Sequence, residues 1–143
     1  MLVKQISVFI ENTKGSLSRL TGSLGDAGVD LIALSVADTA DYGIVRCITG
    51  DPNKGIAALK REGYTVRTTD VLAVVVPDSP GGLAKVLRVL DRGNVSVEYL
   101  YSFVRTAADG ALIIFRVTET DRAIAVLREN GIHMLTQEEV SKL

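Results

Sequence analysis

The chain is poor in the residues that build most catalytic and metal sites. Among 143 residues it has one histidine, His133, and one cysteine, Cys47. A single histidine excludes zinc sites that need two imidazoles, and it leaves little material for a histidine-based triad. A single cysteine excludes an intrachain disulfide framework and fits a reducing compartment. There is no phosphate-binding glycine loop of the P-loop or dinucleotide type. Carboxylates occur as ordinary surface charges. These absences predict no catalytic residues, no metal site and no cofactor.

Charge and hydropathy remove further classes. Sixteen basic residues stand against seventeen acidic ones, a net charge of −1. Nothing offers a nucleic acid or a membrane surface an electrostatic grip. The longest aliphatic run, Val71 to Val76, is far too short to span a bilayer. The first residues, Met1-Leu2-Val3-Lys4-Gln5, lack the basic and apolar regions of a signal peptide. The expectation is a soluble cytoplasmic protein. Its mean hydropathy of +0.26 is high for a soluble monomer and implies apolar surface covered between modules or subunits.

What is present is a repeat. Shifted by 66 residues, Val8 falls on Val74, Gly15 on Gly81, Leu17 on Leu83, Leu24 on Leu90, Val29 on Val95 and Leu34 on Leu100. After a two-residue insertion near Ala107 and Ala108, Ile56 falls on Ile124, Ala57 on Ala125, Leu59 on Leu127 and Gly63 on Gly131. The matches are apolar or glycine, the positions that fix a fold, so the duplication is old.

Each copy has one local pattern. Gln5 to Ile10 alternates as a strand, and Val71 to Val76 is its more buried counterpart. Helical stripes follow, Leu17, Leu20, Leu24 and Leu83, Val86, Leu90. Thr13 and Ser79 are predicted N-caps, with Pro80 at the first helical position. Gly28 stops the first helix, and Gly93 or Asn94 stops its counterpart. Second strands are expected at Val29–Ala37 and Val95–Val104, and third strands at Ile44–Thr49 and Ala111–Val117. Asp41-Tyr42-Gly43 and Asp109-Gly110 supply the turns before them. Helices at Pro52–Glu62 and Asp121–Asn130 end at Gly63 and Gly131, and fourth strands begin at Tyr64 and Ile132. Thr136 and Glu139 form a capping box for a short last helix.

The order is βαββαβ twice. Right-handed crossovers put both helices of a module on one sheet face, an α+β, ferredoxin-like plait. The predicted modules are residues 1–69 and 70–143. No Pro/Gly/Ser-rich linker separates them.

The first strand–helix turn is the candidate site. Copy one reads Ile10-Glu11-Asn12-Thr13-Lys14-Gly15-Ser16-Leu17, and copy two Val76-Pro77-Asp78-Ser79-Pro80-Gly81-Gly82-Leu83. A helix start offers unpaired N–H groups and a positive dipole end, which suit a carboxylate. Glycines let a ligand approach the backbone, and Asn12 can both donate and accept. The same glycines could serve helix–sheet packing alone.

These residues carry a resemblance. Strand, Asn/Asp-x-x-Gly-x-Leu, helix, Gly/Asn-Val and strand, repeated over about residues 3 to 135, resembles the ACT domain in a stand-alone tandem form. The resemblance implies regulatory binding of amino acids or related small molecules at an interface between modules, against the first turn and the adjoining second strand. By that likeness the ligand residues are Asn12, Thr13, Lys14, Gly15, Ser16 and Leu17 in copy one, and Asp78, Gly81, Gly82 and Leu83 in copy two. Separately, the apolar strand faces and edges of two small modules predict a homodimer or higher oligomer, and a partner enzyme is a further candidate.

Aromatics are scarce: four tyrosines, three phenylalanines and no tryptophan. Tyr99, Tyr101 and Phe103 cluster on one predicted strand. They read either as core or dimer packing, or as a side-chain pocket with Tyr99 and Tyr101 as polar handles. Three rival functions remain. A pure interaction module would regulate a partner without a ligand. An acylphosphatase-like hydrolase would need an arginine in the first turn, which here has Lys14. RNA recognition would need aromatics on the central strands, and the third strands carry only Phe115.

Overall fold

A computed structural model describes residues 1–38, 41–103 and 110–143, with backbone alone at Asp38. The chain divides into two compact units, one comprising residues 4–69 with 141–143, the other residues 1–3 with 70–140.

The first unit is built on strands β1 (Val3–Glu11), β2 (Leu31–Asp38) and β3 (Tyr42–Thr49), and on the opening residues of β4 (Thr65–Val76). Their order is β2-β3-β1-β4. β1 pairs antiparallel with β3, Ile6 opposite Cys47 and Val8 opposite Val45. The alternation seen in the sequence turns Ile6 and Val8 toward helices α1 (Ser16–Asp26) and α2 (Pro52–Arg61), where they bury with Leu20, Leu24, Val29 and Leu59. Leu17, the first residue of the expected stripe, is instead 39% exposed. Asp51 caps α2, its carboxylate accepting from the Lys54 N–H at 3.0 Å, and Pro52 takes the first helical position.

The second unit repeats this plan. Its strands are the later part of β4, β5 (Val97–Ser102), β6 (Ala111–Val117) and β7 (Met134–Leu135). β6 lies between β5 and β4, and β7 pairs with β4. Helices α3 (Gly82–Arg92) and α4 (Thr120–Glu129) cover one face, over Leu72, Val74, Phe115 and Val117. α3 and α4 approach closely: a β-carbon at Gly93 would lie 2.7 Å from Val126, and Arg122 Nε donates to the Gly93 carbonyl at 2.6 Å. The closing helix α5 (Gln137–Ser141) has the expected capping box, with the Thr136 N–H donating to Glu139 Oε2 at 2.7 Å and the Glu139 N–H to Thr136 Oγ1 at 3.2 Å.

Several expectations need adjustment. The fourth strand of copy one and the first of copy two are one twelve-residue strand, β4. Its early residues are mostly exposed, whereas Val71 to Val74 are buried, as their unbroken apolar run implied. Tyr42 and Gly43, expected in a turn, open β3. The strand from Ile132 shrinks to Met134–Leu135, which leaves His133 just outside it and exposed. Asn94, at φ 54, takes the left-handed position after α3, while Gly93 does not. The expected strand end at Val104, the insertion at Ala107 and Ala108, and the turn residue Asp109 lie outside the described residues.

Candidate functional site

Both first turns fold alike. In copy one Thr13 N–H donates to Glu11 O, Ser16 N–H to Thr13 O, and Arg19 N–H to Gly15 O; in copy two the same bonds join Ser79 to Pro77, Gly82 to Ser79, and Lys85 to Gly81. The N-caps are therefore Gly15 and Gly81, at φ 84 and 83, and neither helix start has a side-chain cap bond. Thr13 and Ser79 are not the caps, and Pro80 precedes α3 by two residues. The cause is the left-handed glycine, which bends the chain into the helix by a backbone turn and takes over the role of a Ser or Thr side chain. This turn also engages the Ser16 and Gly82 N–H groups, so each helix start has fewer donors left for a ligand than its sequence suggested.

In copy one the turn borders a cavity of about 240 Å³, lined by Phe9, Ile10 and Glu11 at the end of β1, Ser16 and Arg19 on α1, and Tyr64 before β4. Ser16 is buried, and its hydroxyl lies 2.7 Å from Thr13 Oγ1 and 3.4 Å from Arg19 Nη2. Gly15 faces the Arg19 guanidinium, whose Nη1 is 3.1 Å from the position a β-carbon would take. Phe9 is 41% exposed and lies under Arg67, 5.8 Å from guanidinium carbon to ring centroid. Glu11 and Arg19 carry opposite charges into one cavity, yet no ion pair joins them. Arg19 and Tyr64 also line a larger, open hollow along the outer side of α1.

The second unit has a cavity in the corresponding place, about 300 Å³, lined by Val75, Pro77, Lys85, Val86, Asn130, Gly131, Ile132 and His133. Under the repeat, Val75 stands for Phe9, Pro77 for Glu11, Lys85 for Arg19 and Ile132 for Tyr64.

Of the residues singled out in the sequence, Ser16 enters the first cavity, with Thr13 and Gly15 supporting it. Asn12, Lys14 and Leu17 are exposed on the turn outside the lining. Asp78 and Gly81 are exposed, Gly82 is buried and Leu83 packs half-buried on the core; none of the four lines the second cavity. Tyr99 and Tyr101 belong to the second unit. They pair with Arg116 and Ile114 on the sheet face opposite its helices, and Tyr101 is only 9% exposed. Ile114 also pairs with Ala73, four residues before Pro77, so Tyr101 stands roughly 13 Å along the sheet from its own module's turn. The sequence reading missed Glu11, Arg19 and Tyr64 as site residues. The one available signal was the basic residue repeated at Arg19 and Lys85.

Cys47 is buried, and desolvation pushes its thiol up to about 12, which makes it inert as a nucleophile. Among the described residues no cluster of His, Cys, Asp and Glu could hold a metal ion. No described helix is long and apolar enough to cross a membrane.

Two βαββαβ plaits, each with a left-handed glycine at its first helix start, define a tandem ferredoxin-like α+β fold. The chain belongs to the ACT domain pair family, which matches residues 1–143. It is similar over its full length to protein BT0572 from Bacteroides thetaiotaomicron, at 39% identity, with 98% of that chain covered and a TM-score of 0.93. The regulatory subunit of aspartate kinase from Thermus thermophilus shares the fold at 15% identity, with 91% of this chain and 92% of that one covered and a TM-score of 0.64. The corresponding subunit from Thermus flavus does so at 16% identity, with 87% and 88% covered and a TM-score of 0.62. None of the curated proteins matches the chain.

Proposed function

We propose that this protein is a cytoplasmic, non-catalytic regulator that binds a free amino acid in its first ACT module, residues 1–69, and passes that state to a partner enzyme. The observation that carries the reading is the pair Glu11 and Arg19, opposite charges lining one small cavity without bonding to each other. An amino acid is a zwitterion of matching chemistry. Its carboxylate would meet Arg19 and the Ser16 hydroxyl at the positive end of α1, and its ammonium would meet Glu11. The helix dipole contributes about 0.3–1 kcal/mol and a charged hydrogen bond about 1.5–3 kcal/mol. Micromolar affinity requires about 8 kcal/mol, so a small side chain must also bury against Phe9, Ile10 and Tyr64. The exposed turn residues Asn12 and Lys14 would guide the head group in. The assembly we favour is a homodimer, since β2 ends the strand order of the first unit and its Val36 is 45% exposed.

A thermal-shift screen against the twenty amino acids tests the reading. A ligand at a hundred times its dissociation constant adds about 2.7 kcal/mol to stability. The expected result is a raised Tm with a small subset of amino acids, lost in Arg19→Ala. No shift with any amino acid would favour the alternative, an interaction module that regulates a partner enzyme without a ligand.

A further inference from the structure

The duplicated cavity has diverged in charge. In the second unit Pro77 replaces the acid, so among the described residues no carboxylate lines the cavity, and Lys85 and His133 are the titratable groups that do. Among the described residues Lys85 enters no ion pair, and Asp78, which follows Pro77, is exposed outside the lining. Val75, Pro77, Val86 and Ile132 form apolar walls. The Asn130 side chain is held in place by its bond to the Val126 carbonyl at 2.8 Å.

We infer that this second cavity is a separate site for a small monocarboxylate with a branched apolar chain and no ammonium group. A volume near 300 Å³ is at the small end of ligand sites and admits a small branched acid. Lys85 supplies one compact positive charge for the carboxylate, and the Asn130 amide and His133 ring supply polar contacts at the rim. An α-ammonium would find no acceptor of opposite charge among the described lining residues and would stand beside Lys85, a like charge that costs affinity. Selection against amino acids is thus built in by what Pro77 lacks as much as by what Lys85 provides. This inference stands apart from the amino-acid reading of the first cavity, because the two sites share no residue.

The test uses the full chain labelled with ¹⁵N and two probes, 3-methylbutanoate and valine. They have the same carboxylate and carbon chain and differ in the ammonium group. The expected result is saturable movement of the Gly131, Ile132 and His133 amide signals with 3-methylbutanoate, and affinity weaker by about tenfold or more for valine at those signals. Lys85→Ala should weaken 3-methylbutanoate by about tenfold or more, and Lys85→Arg should retain most of the binding. Lys85 is exposed, so neither variant threatens folding. Equal binding of valine at those three residues, unchanged binding in Lys85→Ala, or no saturable movement with 3-methylbutanoate would each overturn the inference.

Discussion

A β-carbon at Gly82 would overlap the carbonyl oxygen of Pro77. The start of α3 is pressed against the end of β4, and hydrogen alone fits between them. Gly82→Ala must therefore move backbone against backbone, with an expected loss of roughly 1–3 kcal/mol by urea denaturation. Gly81→Ala meets no neighbour but must hold φ 83, a cost of about 1–2 kcal/mol. Ser16 occupies the place of Gly82 in the first unit and bonds to Thr13 there, so Ser16→Gly should cost less than Gly82→Ala.

The Cys47 thiol gives a pH dependence with a definite sign. Its folded value is raised from 9.0 to about 12 by desolvation. Below about pH 9 both states hold the proton and the stability difference is constant. Above it the unfolded state ionises first, so stability falls as pH rises, until the folded thiol ionises near 12. At pH 10 the expected loss is about 1.4 kcal/mol, one pKa unit's worth. Unfolding midpoints of the native chain and Cys47→Ala between pH 8 and 10 check it. The alanine variant starts less stable from its cavity and should show the shallower decline.

Assembly is tested at Val36. Among the described residues its strand, β2, has a partner in β3 on one side only. Light scattering at tens of micromolar should report a dimer for the native chain and a larger monomer fraction for Val36→Lys, because a charge on an edge discourages strand pairing. A native monomer would remove the proposal.

Tyr101 separates the two roles its sequence position allowed. Being nine-tenths buried, it should behave as core: Tyr101→Ala is expected to cost about 3–5 kcal/mol, the range of buried aromatic truncations. A variant of native stability that had lost ligand affinity would restore the pocket reading.

The fold was largely legible because it rests on periodicity. The spacing of Ile6, Val8 and Ile10, of Leu20 and Leu24, and their echoes in Val74, Val86 and Leu90 determine which faces are buried, and duplication supplied each signal twice. The helix starts misled for a local reason. Thr13 and Ser79 are good caps by propensity, but two glycines able to adopt positive φ two residues later take the turn instead. The candidate site was only half legible. Ser16 was found because it lies in the turn. Arg19 is one helical turn further on, and Tyr64 follows α2, 45 positions away; contiguous motifs do not join such residues. Tyr99 and Tyr101 stood out by composition, and composition does not tell which sheet face a strand turns to its helices.

The central claim is that the first cavity reads both charges of an amino acid. Calorimetric titration of the native chain, Arg19→Ala and Glu11→Gln with the twenty amino acids addresses it most directly. Both side chains are exposed, so both variants should keep native stability. The account predicts saturable binding of a small amino acid by the native chain, weakened by about tenfold or more in each variant, since each loses one charged hydrogen bond. Binding that survives both substitutions unchanged, or no binding by the native chain, would contradict it.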